Sequence, residues 1–317
     1  MAWMNFAGAL ALLASASPTT VGQAEIAASA EEAASEILQM EDERYRRMTV
    51  PVSINGEGPF NFMIDTGAQA TVLSNVLADQ LQLGERRTAT LVGMVSRRQV
   101  QTAIIPELTL GRHSLFDARA ALVEGANIGG ADGILGLDSL QDRRVLLDFE
   151  NRLMEVVHED DDASNRGYDI VVRARRVGSQ LIIARAQLDG VRTAVVVDTG
   201  AQGSVGNSVL YDRMRRAREN IASQMTDING VEATGTVRVA RSLEFGRAQV
   251  TNFPVTFADT PVFAALGLED EPALVLGMNE LRLFDRVAID FSSRRVLFDL
   301  PDGSRVPSRD AFGRLGH

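Results

Sequence analysis

Phe62-Met63-Ile64-Asp65-Thr66-Gly67-Ala68-Gln69 and Val195-Val196-Val197-Asp198-Thr199-Gly200-Ala201-Gln202 carry one pentapeptide twice, each time at the end of an apolar run. A short continuous apolar run reads as a buried strand, and the Asp that ends it opens a turn. Thr braces such a turn through its hydroxyl, and Gly lets another backbone come close. A single turn of this kind says little, because an Asp that merely caps a turn looks the same. Two of them, one in each half of the chain, deliver two carboxylates that a pair of lobes can bring face to face.

The repeat extends beyond the pentapeptide. Residues 48–54 alternate as a strand, Asn55-Gly56-Glu57-Gly58 reads as a hairpin turn, and residues 59–64 return into Asp65. Residues 181–188, the tight turn Asp189-Gly190 and residues 191–197 repeat that grammar before Asp198. Downstream, Ile134-Leu135-Gly136-Leu137-Asp138-Ser139-Leu140 has its counterpart in Val275-Leu276-Gly277-Met278-Asn279-Glu280-Leu281. Val145-Leu146-Leu147-Asp148-Phe149 likewise matches Val287-Ala288-Ile289-Asp290-Phe291. Such a duplication settles domain organisation before any site is argued. It places a first lobe over 45–158 and a second over 168–300, with an acidic, turn-rich linker at 159–167 and a tail at 301–317. Short strand patterns separated by Gly, Asn and Asp dominate both lobes, with brief helical patches at 75–82 and 209–220. The expected fold class is all-β, two homologous closed barrel-like lobes with a cleft between them. Arg213, Arg215, Arg216 and Arg218 read as a solvated helix face rather than a docking site.

The first 44 residues stand apart. Residues 7–16 form an apolar run too short for a stable membrane span, with small residues at Ala14, Ala16, Gly22 and Ala24 that suit signal-peptide cleavage. No Arg precedes Arg44, so the positively charged start of a signal is missing. The reading is a signal peptide over 1–24, with a periplasmic or secreted product. Ile26, Ala30, Ala33, Ile37 and Met40 fall at helical spacing, which predicts an amphipathic helix over 25–44 packed on the first lobe.

Composition excludes several classes. The net charge of −10 argues against general affinity for nucleic acid or anionic membrane. All 32 basic residues are Arg, scattered along the chain rather than gathered as a phosphate site. With no Cys, disulfides and thiolate metal sites are excluded. The three His residues, His113, His158 and His317, lack metal-ligand spacing, so neither a metal nor a cofactor is expected.

Two neighbouring carboxylates cannot both ionise cheaply, because like charges at short range raise one pKa strongly. Such a pair shares a proton and titrates as a unit. A water held between the two meets a base on one side and an acid on the other, which is what hydrolysis of an unactivated amide needs.

These motifs resemble those of the aspartic protease clan, and specifically the bacterial retropepsin-like proteins with two lobes fused in one chain. Asp65-Thr66-Gly67 and Asp198-Thr199-Gly200 are similar to the family's catalytic turns. Ile134-Leu135-Gly136 and Val275-Leu276-Gly277 resemble the motif that packs behind each of them. The resemblance covers about residues 48–300. It implies that Asp65 and Asp198 are catalytic, that Thr66 and Thr199 cross-brace the two loops, and that Gly67 and Gly200 lie beside the substrate. It also implies a β-hairpin flap in each lobe, between the catalytic turn and the apolar-Gly motif. The best windows are 90–100, with its tip near Gly93-Met94, and 225–234, with Asn229-Gly230 as a two-residue turn. Neither window contains Tyr45, Tyr168 or Tyr211, so the single Tyr-bearing flap of pepsin-like enzymes is absent. Met94, Ile228 and Val231 suggest apolar subsites.

The expected activity is therefore an aspartic endopeptidase, monomeric because one chain holds both turns, acting on a polypeptide in extended conformation. Two other readings stay open. One is a catalytically silent peptide-binding protein with the same fold. The other is a two-lobed phosphotransferase, whose nucleotide pocket would need further glycine motifs.

Overall fold

The computed structural model describes residues 35–39, 41–42, 48–111, 113–140, 143–158, 167–214 and 221–301. The expected signal peptide, the tail after 301 and most of the expected linker lie outside these residues.

Each apolar run that leads into an Asp-Thr-Gly turn is a strand of a closed six-stranded barrel. In the first lobe the ring runs Met48–Ile54, Glu57–Ile64, Gly133–Leu135, Val72–Ser74, His113–Val123, Arg97–Leu110 and back to Met48–Ile54. In the second it runs Gln180–Leu188, Val191–Val197, Ala273–Leu276, Ser204–Gly206, Ala248–Phe257, Glu232–Phe245 and back to Gln180–Leu188. Closure removes the open edges that either sheet would otherwise expose. Glu57–Ile64 pairs in parallel with Gly133–Leu135, and Val191–Val197 in parallel with Ala273–Leu276. A strand covered on both faces reads as continuously apolar, which explains why these runs do not alternate. Phe62 and Ile64 point into the main core, while Met63 between them joins a separate cluster with Val72, Val123, Ile128 and Ile134. The second lobe does the same: Val195 and Val197 face the main core, and Val196 joins Ile182, Val205, Phe263 and Val275.

The expected helix at 75–82 is Asn75–Gln80, capped by the Ser74 side chain, which accepts from Leu77 N–H. The second patch is Ser208–Arg213, capped by Asn207; residues 215–220 lie outside the described set. The hairpin turns Asn55-Gly56 and Asp189-Gly190 both have two positive φ values in succession, as a two-residue turn between twisted strands requires.

Two features differ from the sequence reading. The helix expected over 25–44 is not formed where that segment is described: Ser35–Gln39 and Glu41–Asp42 are strands. Ser35–Gln39 pairs antiparallel with Leu153–His158, satisfying an edge of N–H and C=O groups that a helix would have left open. The repeat also gave no sign of what joins the lobes. Three strands from each half lie side by side in one further six-stranded sheet, in the order Ser35–Gln39, Leu153–His158, Arg143–Asp148, Arg286–Asp290, Arg295–Asp299, Ile170–Arg173. Its central rung joins the halves, with Arg144 opposite Asp290 and Leu147 opposite Val287. Arg144 and Asp290 form a buried ion pair at 2.6 Å. Burial opposes the Asp290 charge, but the Ser293 N–H and hydroxyl, the Arg144 guanidinium and the Ser292 hydroxyl hold its carboxyl below the usual range. The main apolar core passes from Val50 and Leu108 of the first lobe through Val145 and Ile289 of this sheet to Phe245 and Phe253 of the second.

Candidate active site

Asp65 and Asp198 leave their strands at equivalent points. Asp65 N–H donates to the Leu135 carbonyl at 3.1 Å, and Asp198 N–H to the Leu276 carbonyl at 3.0 Å. The apolar-Gly motifs thus sit directly behind the turns. Their glycines are required by proximity: a Cβ at Gly136 would lie 2.6 Å from the Ala70 carbonyl, and one at Gly277 2.6 Å from the Gly203 carbonyl. Inside each turn, one Asp oxygen accepts two backbone N–H groups. Asp65 Oδ1 takes those of Gly67 and Ala68, both at 2.8 Å. Asp198 Oδ1 takes those of Gly200 at 2.8 Å and Ala201 at 3.1 Å.

The two turns are locked together by buried threonines. Thr66 Oγ1 donates to the Val197 carbonyl at 3.0 Å and accepts from Thr199 N–H at 3.2 Å. Thr199 Oγ1 donates to the Ile64 carbonyl at 2.7 Å and accepts from Thr66 N–H at 3.0 Å. A hydroxyl offers one donor and two acceptor sites, so each threonine bridges donor and acceptor of the opposite turn at once. This brings the carboxylates face to face. A Cβ built at Gly67 would strike the Asp198 carboxylate, and one built at Gly200 would strike that of Asp65.

The pair is not symmetric. Asp198 is the deeper of the two, 8 % exposed, whereas Asp65 is only half-buried. Burial pushes the Asp198 carboxyl well above the usual carboxylate range; the Asp65 charge and a hydrogen bond with Asp65 raise it further, against the Gly200 and Ala201 N–H groups. Burial therefore favours protonation at the Asp198 side of a pair that titrates as a unit.

Both expected flaps are present. Arg87–Val92 and Arg97–Leu110 form the first hairpin, with Gly93 and Met94 in its tip as expected. Ile221–Thr226 and Glu232–Phe245 form the second. Asn229-Gly230 is not a two-residue turn, however. Asp227 N–H bonds the Val231 carbonyl, so the loop is Ile228-Asn229-Gly230, with Gly230 alone at positive φ. Asp227 imposes this form by accepting the N–H groups of Asn229 and Val231 on its own Oδ1. Each tip crosses the cleft. Met94 packs on the second lobe's apolar cluster beside Ala201, and Ile228 packs on the first lobe's cluster beside Ala68. Val231 is 41 % exposed and lines neither cluster, contrary to expectation.

Sequence reasoning missed four contributors. Gln180, 1 % exposed, donates from the second lobe to the Gly67 carbonyl at 2.6 Å. A lone Gln at the start of an apolar strand gives no signal of this. Thr71 bonds Asp138 and Ser139, and Ser204 bonds Glu280, anchoring the segment after each turn to its apolar-Gly motif. These hydroxyls occupy matching places in the repeat, and aligning the two copies would have exposed them. Asp227, two residues before Asn229, was legible as an Asx-turn residue.

Comparison with known families agrees with this geometry. Residues 50–142 match the gag-polyprotein aspartyl protease family model, and residues 184–279 match the aspartyl protease family model. The chain belongs to the two-lobed, retropepsin-like aspartic proteases. No curated protein matches it. Each family model covers one Asp-Thr-Gly turn and one apolar-Gly motif, which favours the protease fold over that of a two-lobed phosphotransferase.

Proposed function

We propose that the protein is an endopeptidase in which Asp65 and Asp198 activate a water for attack on a peptide carbonyl. The observation that carries this reading is the mutual contact of the turns, each Gly lying against the opposite Asp carboxylate. Asp198 holds the proton, so the facing Asp65 carboxylate takes one from the water as its oxygen bonds to the carbonyl carbon. Asp198 gives its proton to the developing oxyanion. As the tetrahedral species collapses, the C–N bond breaks, the amine leaves with the proton held by Asp65, and the oxyanion's proton returns to Asp198. Atoms and protons balance with water as the sole co-reactant.

Ala68 and Ala201 have no hydroxyl to support the anion, so only backbone N–H groups oppose protonation. That favours a dyad which keeps its shared proton to weakly acidic pH. The flap tips hold Met94 and Ile228 partly buried against apolar clusters, which supports a preference for apolar residues flanking the cleaved bond. One chain supplies both turns, which supports a monomeric enzyme acting on extended polypeptide, and the reading of residues 1–24 supports an exported one.

The test is digestion of an unstructured protein mixture by the wild type beside Asp65→Ala, with mass-spectrometric mapping of new termini. Cleavage by the wild type alone, enriched at apolar pairs, is expected. Binding of peptides without cleavage by the wild type would restore the silent peptide-binding reading.

A further inference from the structure

The flap tips hold each other through one carboxylate. Asp227, 5 % exposed, uses Oδ1 within its own tip, on Asn229 N–H at 2.9 Å and Val231 N–H at 3.2 Å. Its Oδ2 reaches across to the first flap, accepting Val95 N–H at 3.2 Å and the Ser96 hydroxyl at 2.7 Å. Asn229 Nδ2 donates to Ser96 Oγ at 2.8 Å, and Arg98 donates to the Asn229 carbonyl at 3.3 Å. Gly93 is shaped to this arrangement, because a Cβ there would run into Asp227 Oδ2. The latch runs in one sense only, since the first tip, Gly93-Met94-Val95-Ser96, contains no carboxylate.

We propose that Asp227 is a positioning residue for the cleavage reaction, fastening the two flaps into one roof that holds an extended substrate over the dyad. This rests on the endopeptidase reading above. The tips already sit against the clusters that carry Ala68 and Ala201, so a fastened roof fixes the height of the cleft over both catalytic turns. Bonds to an ionised acceptor are stronger than neutral ones, which suits one carboxylate to serve both hairpins. The roof is also made to release. Closing it leaves Asn229 Oδ1 buried with no partner among the described residues, a penalty that opening relieves. A chain segment with no free end near the cleft needs that release to enter.

Asp227→Asn separates the two halves of the latch. Its remaining carbonyl oxygen still accepts Asn229 and Val231 N–H, so the second tip keeps its turn, but Val95 N–H loses its acceptor. The chain has no Cys, and Val92 and Val231 are 39 % and 41 % exposed beside the two tips. Spin labels on Val92→Cys and Val231→Cys therefore report the gap between flaps. Measured in an Asp65→Asn background, no turnover is needed. One narrow short distance is expected with Asp227 and a longer, broadened distribution with Asp227→Asn; identical distributions overturn the proposal. In the active background, Asp227→Asn should raise KM about tenfold with kcat changed much less and both limbs of the pH–rate profile unmoved, because a binding interaction is lost while the dyad is untouched. A fall in kcat with KM unchanged also overturns it. If no variant cleaves any peptide, the endopeptidase reading fails while the distance measurement still decides the latch.

Discussion

Around Asp65, the Gly67 carbonyl accepts from Gln180, the hydroxyl of Thr71 is held by Asp138, and the flap that the same lobe sends across the cleft begins its tip with Gly93. Around Asp198, the hydroxyl of Ser204 is held by Glu280, and the flap that the same lobe sends across the cleft carries Asp227 in its tip. The brace between the turns is nevertheless the same in both directions. The difference teaches which parts of a duplicated site are free to diverge. Contacts that each copy makes with the other must change in both copies or in neither. Contacts that each copy makes with its own surroundings can drift, as Thr71–Asp138 and Ser204–Glu280 have at matching places of the repeat.

Breaking the pair gives the largest effect. Asp65→Asn and Asp198→Asn should each lower kcat/KM by about 10³-fold or more, and the double variant should be no worse than either, because the two act as one unit. Near-wild-type turnover in either would end the dyad account. Stability separates the two copies further. The Asp198 carboxyl is raised in the folded state, so its contribution is fully present below the unfolded value near 3.8 and is lost as pH rises through the folded value. Relative to Asp198→Asn, the wild type should therefore lose thermal stability as pH is raised from acid toward neutral. A constant difference in Tm across that window would contradict the placement of the proton.

Next in size is the joint between halves. Arg144→Met leaves Asp290 buried without its partner and should cost about 3–5 kcal/mol in urea unfolding. Adding Asp290→Leu should recover most of that, since an apolar pair replaces the ions without stranding a charge. The brace comes third. Thr66→Val and Thr199→Val each strand a buried carbonyl and a buried N–H, for about 2 kcal/mol apiece, and their effects should be equal and less than additive. A difference above about 1 kcal/mol would show that the brace is not symmetric. Gln180→Ala should be mildest. Loss of one hydrogen bond, about 1 kcal/mol, predicts roughly a fivefold fall in kcat/KM. No change would make that contact incidental to the Asp65 turn.

Much of this was legible from sequence because duplication doubles the signal. Asp65 and Asp198, the strands leading into them and the glycines behind them appear twice in one order, and the closed barrels follow from that order. The six-stranded sheet between the lobes was not legible. A strand such as Arg143–Asp148 reads as interior to one copy, yet one of its two hydrogen-bonded neighbours lies in the other, and side-chain pattern does not encode the partner's address. The helical spacing of residues 25–44 misled for a related reason, since local periodicity carries no information about an unpaired edge elsewhere in the chain. The turn at Asn229-Gly230 misled because Asp227, outside the dipeptide, sets the loop length.

The shared sheet also changes what the connection between the lobes has to do. Arg143–Asp148 and Arg286–Asp290 bond directly, the Arg144–Asp290 pair lies across that rung, and the threonine brace makes a second junction. None of these runs through residues 159–166. A chain cut there keeps every one of them, so what covalent continuity adds to them is an effective concentration, about millimolar for short links in general. Two separately produced halves, 35–158 and 167–301, then face an ordinary bimolecular association in place of a missing covalent requirement. Above the dissociation constant of that association they should assemble the same cleft, and below it each would be left with an open strand edge as its dominant exposed feature.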